Sequence, residues 1–317
     1  MSTRTASLVV TGPYDLREVA LMGFGHRDEA AFDGVMRMAF CLDGDLERQV
    51  GVEARQDGDR LDLTLHPAGD GGPLSDAEVE AAATQVARVV SVDHDGAAFH
   101  ALCEADPVLA PVHAVAPGFR PALFYSPYEA AVWSVVSARR ARAQGIGVRR
   151  RLAQQLGATV ELAGVPTEAV PTPSALLRLE SLPGLPADRV PRLHAVAEAA
   201  QRGELDVELL RALPQAEAEG RLQRLPGIGP FYSSLVVIRA CGHADAMVVG
   251  ESHVRDVVQG AYGFGHPPTA AELAAVGETW RPYRTWVSVM LRALAGRSGP
   301  ASVSSRPGSG RDDGSRG

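Results

Sequence analysis

The feature that most limits the fold is a change of hydrophobic period partway along the chain. Residues 34–66 read with period two. VMRMAFCL alternates in part, VGVEARQ and LDLTLHP alternate well, and the DGD and QDGDR between them are hairpin signals. PAGDGGPLSD at 67–76 breaks that pattern. Ser75 and Asp76 then stand before DAEVEAAATQVARVVSV, whose apolar positions recur at helical spacing, so a helix starts there. Beyond about residue 100 strand signals nearly vanish, and amphipathic segments follow one another, punctuated by Pro and Gly. Among them, Ser126-Pro127 and Thr172-Pro173-Ser174 are helix-start signals. No repeat of fixed period turns these helices into a solenoid. The expected fold class is α+β: a small mixed α/β domain over 1–105, a larger all-helical domain over 106–297, and a disordered Gly/Ser/Arg-rich tail over 298–317.

A chain of 317 residues is long enough for two such cores. Its 45% hydrophobic and 22% charged content is that of an ordinary soluble protein. No apolar run approaches the roughly 20 residues that span a bilayer, and MSTRTASLVVTGPYDL lacks the apolar centre of a secretory signal, so the cytoplasm is the expected compartment. Cys41, Cys103 and Cys241 lie far apart and show no CxxC spacing. That argues against an iron–sulfur cluster or a cysteine-rich zinc site and for three buried small hydrophobes.

All 31 basic side chains are arginine, so no lysine amine can form a Schiff base. The net charge of −7 argues against a nucleic-acid partner only on average, because binding follows local charge. Residues 138–152, ARRARAQGIGVRRRL, carry Arg139, Arg140, Arg142, Arg149, Arg150 and Arg151 with no acid among them, a basic patch on an acidic protein.

Residues 225–253, LPGIGPFYSSLVVIRACGHADAMVVGESH, hold the strongest candidate for function. Helices on either side of LPGIG would form a helical hairpin. Gly227 and Gly229 permit positive φ, and Pro230 suits the first turn of the next helix, where its missing N–H costs nothing. The free N–H groups of the turn carry positive partial charge and suit an anionic oxygen, a nucleic-acid phosphate above all. An ordinary helix–helix corner with no ligand is the plain alternative.

LPGIG, a helix, and an acid about 22 residues after Gly229 together resemble the helix–hairpin–helix base-excision DNA glycosylase superfamily, in its DNA-3-methyladenine glycosylase II branch. SPYEAAVWSVVSARR, VPTPSALLRL and WRPYRTWVSVMLRA occur in the family's order, and the likeness covers roughly residues 110–296. The resemblance implies a helix–hairpin–helix glycosylase domain behind a mixed α/β domain. It implies a monomer that binds double-stranded DNA, everts a damaged base and cuts its N-glycosidic bond. It assigns the catalytic carboxylate to Glu251 and phosphate contacts to Gly227, Gly229 and Pro230. Arg139 aligns with the residue that wedges into the vacated stack, and Arg140 stands beside it. The base pocket falls on Phe231, Leu235 and Arg292. The carbonyls of Gln223, Leu225 and Ile228 correspond to those that hold a structural monovalent cation. No catalytic cofactor is implied, nor a membrane partner, and a lysine-dependent lyase step is excluded. Asp245 matches an acid that is not catalytic in the family.

Glu251 stands where the family has Asp, about 1.5 Å longer in reach. Leu235 and Arg292 stand where relatives have aromatic rings, and Arg139 replaces an apolar wedge. These departures leave a DNA-binding paralogue without strong glycosylase activity as the alternative, and a protein-binding helical scaffold as a third. His253 is read as a solvated or core side chain. Trp280, Tyr283 and Trp286 at near-helical spacing are read as core, and His243, His253 and His266 show no metal-ligand spacing.

Overall fold

The computed structural model describes residues 3–22, 32–246, 252–294 and 297. Four strands, β1 (Arg4–Val9), β2 (Met36–Leu42), β3 (Asp45–Asp57) and β4 (Arg60–Ala68), form an antiparallel sheet in the order β1-β4-β3-β2. Both expected hairpins are present, with Gly44 and Gly58 at φ +82° and +61° in their turns. The edge strand β1 lies outside the segment read as β-rich; its alternation is only half-buried, which leaves little pattern to read.

Helices α1 (Leu16–Leu21) and α2 (Asp76–Val89) cover one face of the sheet, where Met36, Met38, Phe40, Val52, Leu63 and Leu65 meet Val19, Val79 and Val86. The start of α2 falls where its cap is legible. The Ser75 hydroxyl accepts from the Glu78 N–H, and the Glu78 carboxylate accepts from the Ser75 N–H at 2.7 Å, a reciprocal capping box.

The opposite face carries a two-stranded ribbon, β5 (Thr159–Leu162) and β6 (Val165–Glu168). It corrects the expectation of an all-helical region after residue 106. Its turn places Ala163 and Gly164 at φ +44° and +77°. Two successive positive φ values are the I′ geometry that Asn-Gly or Asp-Gly usually announces, and Ala conceals it. Docking needs Gly51 of β3, because a Cβ there would stand 2.6 Å from Val160 Cγ1. Glu53 then accepts from the Ala163 N–H at 2.8 Å, and the Arg37 Nε donates to the Leu162 carbonyl at 3.0 Å.

The remaining helices are α3 (Gly96–Ala105), α4 (Ala110–His113), α5 (Pro127–Ser137), α6 (Arg142–Leu156) and α7 (Pro173–Leu176). They continue with α8 (Val190–Gln201), α9 (Val207–Ala212), α10 (Gln215–Leu222) and α11 (Pro230–Arg239). The last three are α12 (Ser252–Ala261), α13 (Ala270–Glu278) and α14 (Arg284–Leu294). Ser126 and Thr172 cap α5 and α7 as their sequences announce. The amphipathic run over 207–225 is broken in two, because Pro214 forces Leu213 into extended backbone.

The helices enclose two cores. Helices α5, α6, α8, α10 and α11 pack around Tyr128, Val132, Leu193, Val196 and Val236. Helices α3, α4, α12, α13 and α14 pack around Phe99, Val258, Leu273, Trp280 and Met290. Trp280, Tyr283 and Trp286 are buried in the second core, as their spacing led us to expect, and the three cysteines are buried and free. Buried arginines tie the parts together: Arg120 donates to the carbonyls of Ser91, Thr11 and Pro13, and Arg88 bonds Asp43 at 2.6 Å and the Ala240 carbonyl. The planar guanidinium, with five donors, suits a site where several carbonyls converge. Among the described residues no helix is long and apolar enough to cross a membrane.

Candidate functional site

The LPGIG segment forms the tight link between α10 and α11. Leu225 and Ile228 are buried and anchor it to the first helical core, while Pro226, Gly227, Gly229 and Pro230 are exposed. Gly227 sits at φ +93°, which other residues rarely adopt. Gly229 does not: its φ of −91° and ψ of −177° are extended backbone that caps α11, so the expected second positive φ is absent. Gly229 instead leaves open space, with no atom within 4 Å of a Cβ built there. Pro230 occupies the first helical turn.

The Ile228 N–H closes the turn onto the Leu225 carbonyl at 3.1 Å. Those of Gly227, Gly229, Phe231 and Tyr232 donate to no acceptor among the described residues. No acid lies in the first turn of α11, so the helix dipole presents an uncompensated positive end there. The carbonyls of Gln223 and Ile228 likewise accept no hydrogen bond among the described residues, and Leu225 keeps one lone pair. Gln223 braces the turn through its side chain, which donates to Ser233 Oγ at 3.0 Å.

From this turn α11 runs along a cleft of about 540 Å³ between the two helical cores. Phe231, Tyr232 and Leu235 of α11 form one wall, Val289 and Arg292 of α14 the other, and Ser137, Arg140 and Arg142 the rim. Three residues singled out from sequence, Phe231, Leu235 and Arg292, thus share one cavity with Arg140. Phe231 is 70% exposed, an unusual position for a large apolar ring, and packs edge-on against Tyr232 at 5.2 Å. The Tyr232 hydroxyl is held 3.2 Å from Ser137 Oγ. Tyr232 and Arg142 were not singled out individually as cleft residues, though both adjoin residues that were.

Arg139, exposed and just after α5, has φ +56°. A non-glycine residue held there costs on the order of 1–3 kcal/mol. The arginine-rich segment is otherwise not one patch. Arg149 turns inward, 3.7 Å from the buried Glu129, and Arg151 donates to the Pro183 carbonyl at 2.9 Å. Arg140 and Arg142 remain at the cleft, and Arg139 adjoins them in sequence. Glu129 accepts no hydrogen bond among the described residues, and burial lifts its carboxyl to about 7 despite the pull of Arg149.

Glu251 lies outside the described residues, as do the side chain of His253 and the tail beyond 298. Glu251 immediately precedes α12, which packs on α14 within the second helical core. Asp245 is held by Arg281 and Arg284, each at 2.7 Å, a structural role that fits a non-catalytic acid.

No protein-family model and no curated protein sequence matches the chain. Solved structures do. The 3-methyladenine DNA glycosylase of Archaeoglobus fulgidus aligns over 90% of this chain and 97% of its own, at a TM-score of 0.71 and 18% identity. MBOgg1, solved with a low-affinity DNA ligand, aligns over 94% of this chain and 99% of its own at 0.69 and 16%. The Clostridium acetobutylicum 8-oxoguanine glycosylase/lyase aligns over 92% and 98% at 0.62 and 14%. These neighbours are DNA glycosylases, and at such identities the likeness establishes a common fold.

Proposed function

We propose that this protein is a DNA N-glycosylase of the helix–hairpin–helix kind that removes alkylated or otherwise damaged bases from duplex DNA. One observation carries the reading: the helix whose open amides suit a phosphate also forms a wall of the cleft. A strand held at Gly227 and Gly229 would pass directly over that cavity.

The chemistry rests on that placement. A base stacked in a duplex hides its N-glycosidic bond, so the nucleotide must leave the helix first. Arg139, fixed in a strained conformation next to Arg140 of the rim, fills the vacated space; a guanidinium stacks on bases and also contacts phosphate. Phe231 and Leu235 receive the everted base, with Arg292 opposite. Bond cleavage builds positive charge on the sugar, which the Glu251 carboxylate stabilises while guiding the attacking water. The absence of lysine from the sequence favours hydrolysis alone over a lysine-dependent lyase step. The reaction needs no cofactor. The carbonyls of Gln223, Leu225 and Ile228 are the hard oxygen donors that a structural monovalent cation beside the phosphate takes.

Release of free base from alkylated duplex DNA, wild type against Glu251→Gln, tests the reading. We expect the variant to lose at least about a hundredfold in rate while keeping its DNA affinity. Equal release by both proteins would remove Glu251 from the mechanism. Tight binding with no release over a broad lesion panel would make the protein a damage-binding relative.

A further inference from the structure

We propose a metal site, independent of the glycosylase reading, formed by His100, Glu104 and His113 and suited to a late first-row divalent cation, zinc above all. His100 and Glu104 lie four residues apart on one face of α3. Asp106 folds the chain back: its carboxylate accepts from the N–H of Val108 at 2.7 Å, and its carbonyl from that of Ala110 at 2.9 Å. The short helix α4 then ends on His113, which faces the other two. The donor atoms of all three lie within 4.8 Å of one another. A tetrahedral ion with bonds of about 2.0–2.1 Å sets its ligands about 3.3 Å apart, so small side-chain rotations close the site.

The polar atoms themselves ask for a ligand. His113 is fully buried, yet neither ring nitrogen has a hydrogen-bond partner, and the buried Nδ1 of His100 has none either. Buried polar atoms are nearly always partnered, and unpaired ring nitrogens on two neighbouring imidazoles, one from each able to face the Glu104 carboxylate, need a reason. Glu104 Oε1 stands 3.5 Å from His113 Nδ1, too long for a well-formed hydrogen bond. Glu104 is about half exposed and gives the ion its way in.

Two imidazoles and one carboxylate match zinc and its neighbours, whereas magnesium and calcium prefer sites made wholly of oxygen. None of the three residues lines the cleft, so the role is structural. The ion would clip α3 to α4 beside Phe99, which packs against Tyr283 and Trp286 at 5.5 and 5.1 Å in the core that carries α12 and α14.

The test uses the full chain stripped with a chelator and titrated with zinc chloride, reading stoichiometry and melting temperature. Cobalt(II) chloride in a parallel sample reports tetrahedral nitrogen and oxygen ligation through its visible absorption. We expect one equivalent of zinc, a rise in melting temperature that magnesium does not reproduce, and a tetrahedral cobalt spectrum. Glu104→Ala, at an exposed position that the fold tolerates, should weaken zinc at least about tenfold, the lower end of what even an outer-shell loss costs. His100→Ala with Glu104→Ala should abolish both the melting shift and the spectrum. Zinc stoichiometry and melting response unchanged in the double variant would overturn the proposal, as would an equal response of the wild type to magnesium.

Discussion

Two turns of this molecule begin with the same three residues and serve opposite ends. Leu182-Pro183-Gly184 and Leu225-Pro226-Gly227 each bury the leucine, place the glycine at φ +83° or +93°, and close a bond of 3.0 or 3.1 Å onto the leucine carbonyl. Beyond the glycine the two diverge. In the first, Pro186 leads into a short 3-10 turn (Ala187–Arg189) with Asp188 in it, and Asp188 pairs with Arg192 at 2.7 Å. Arg151 caps the Pro183 carbonyl, and Arg189 donates to the Val135 carbonyl at 2.6 Å. An acid and two arginines brace that turn. In the second, Gly229 adds an open position, no acid occupies the helix start, and the amides point at nothing within the described protein. The geometry of the turn is therefore not what makes a binding site; a helix start free of negative charge beside a cleft is. Damage around the first turn should appear in stability, and damage to the second in DNA affinity.

The largest effect belongs to the bracing side, where α6 sends Arg151 to the first turn and Arg149 to Glu129. Burial raises the Glu129 carboxyl from 4.5 to about 7 in the folded chain. The folded state therefore holds a proton that the unfolded state releases. The associated stability is fully present below pH 4.5 and lost as pH rises through 7, up to about 3 kcal/mol. Urea unfolding at pH 5 and pH 8 should show that slope in the wild type and not in Glu129→Gln, with DNA binding at pH 7 little changed. Next comes conversion of the second turn toward the first. Phe231→Asp puts an acid at the start of α11 and should cut DNA affinity about a hundredfold, read by fluorescence anisotropy on an abasic-site duplex. Asp188→Asn should leave affinity unchanged, because that turn lines no part of the cleft.

The contrast also explains how much was legible beforehand. The cap at Ser75, the Asp-Gly hairpins, Pro230 opening α11 and the tryptophans of the second core are encoded by neighbours within a few residues, so they are visible in the string. The ribbon at 159–168 depends on Gly51, more than a hundred positions away, which clears the ground for Val160. The arginine-rich segment reads as one patch because nothing nearby announces that Glu129 and the Pro183 carbonyl will claim Arg149 and Arg151. His113 escapes notice for the same reason: its companions stand on another helix. The glycine turn is visible in its own residues, the cavity residues Phe231, Leu235 and Arg292 only through the family's pattern of spacing, and the engagement of each donor only in coordinates.

Two smaller effects sharpen the comparison further. Gly184→Ala and Gly227→Ala each force a side chain into left-handed backbone and press on an arginine, Arg151 Nη2 at 2.7 Å or Arg192 Cδ at 3.0 Å. Each should cost on the order of 1–2 kcal/mol in urea unfolding. Only Gly227→Ala should also weaken DNA binding, since it alone displaces amides at the start of the helix that walls the cleft. The smallest effect is a slope. An arginine that neutralises a phosphate releases about one counterion, so its loss lowers the dependence of log affinity on log salt by about 1. Arg139→Ala and Arg140→Ala should each do so. Arg151→Ala should not, because its guanidinium is spent on Pro183; its cost should appear in unfolding. If all three variants lowered the slope alike, residues 139–151 would present one continuous basic surface to DNA, and the division between a bracing turn and a binding turn would fail.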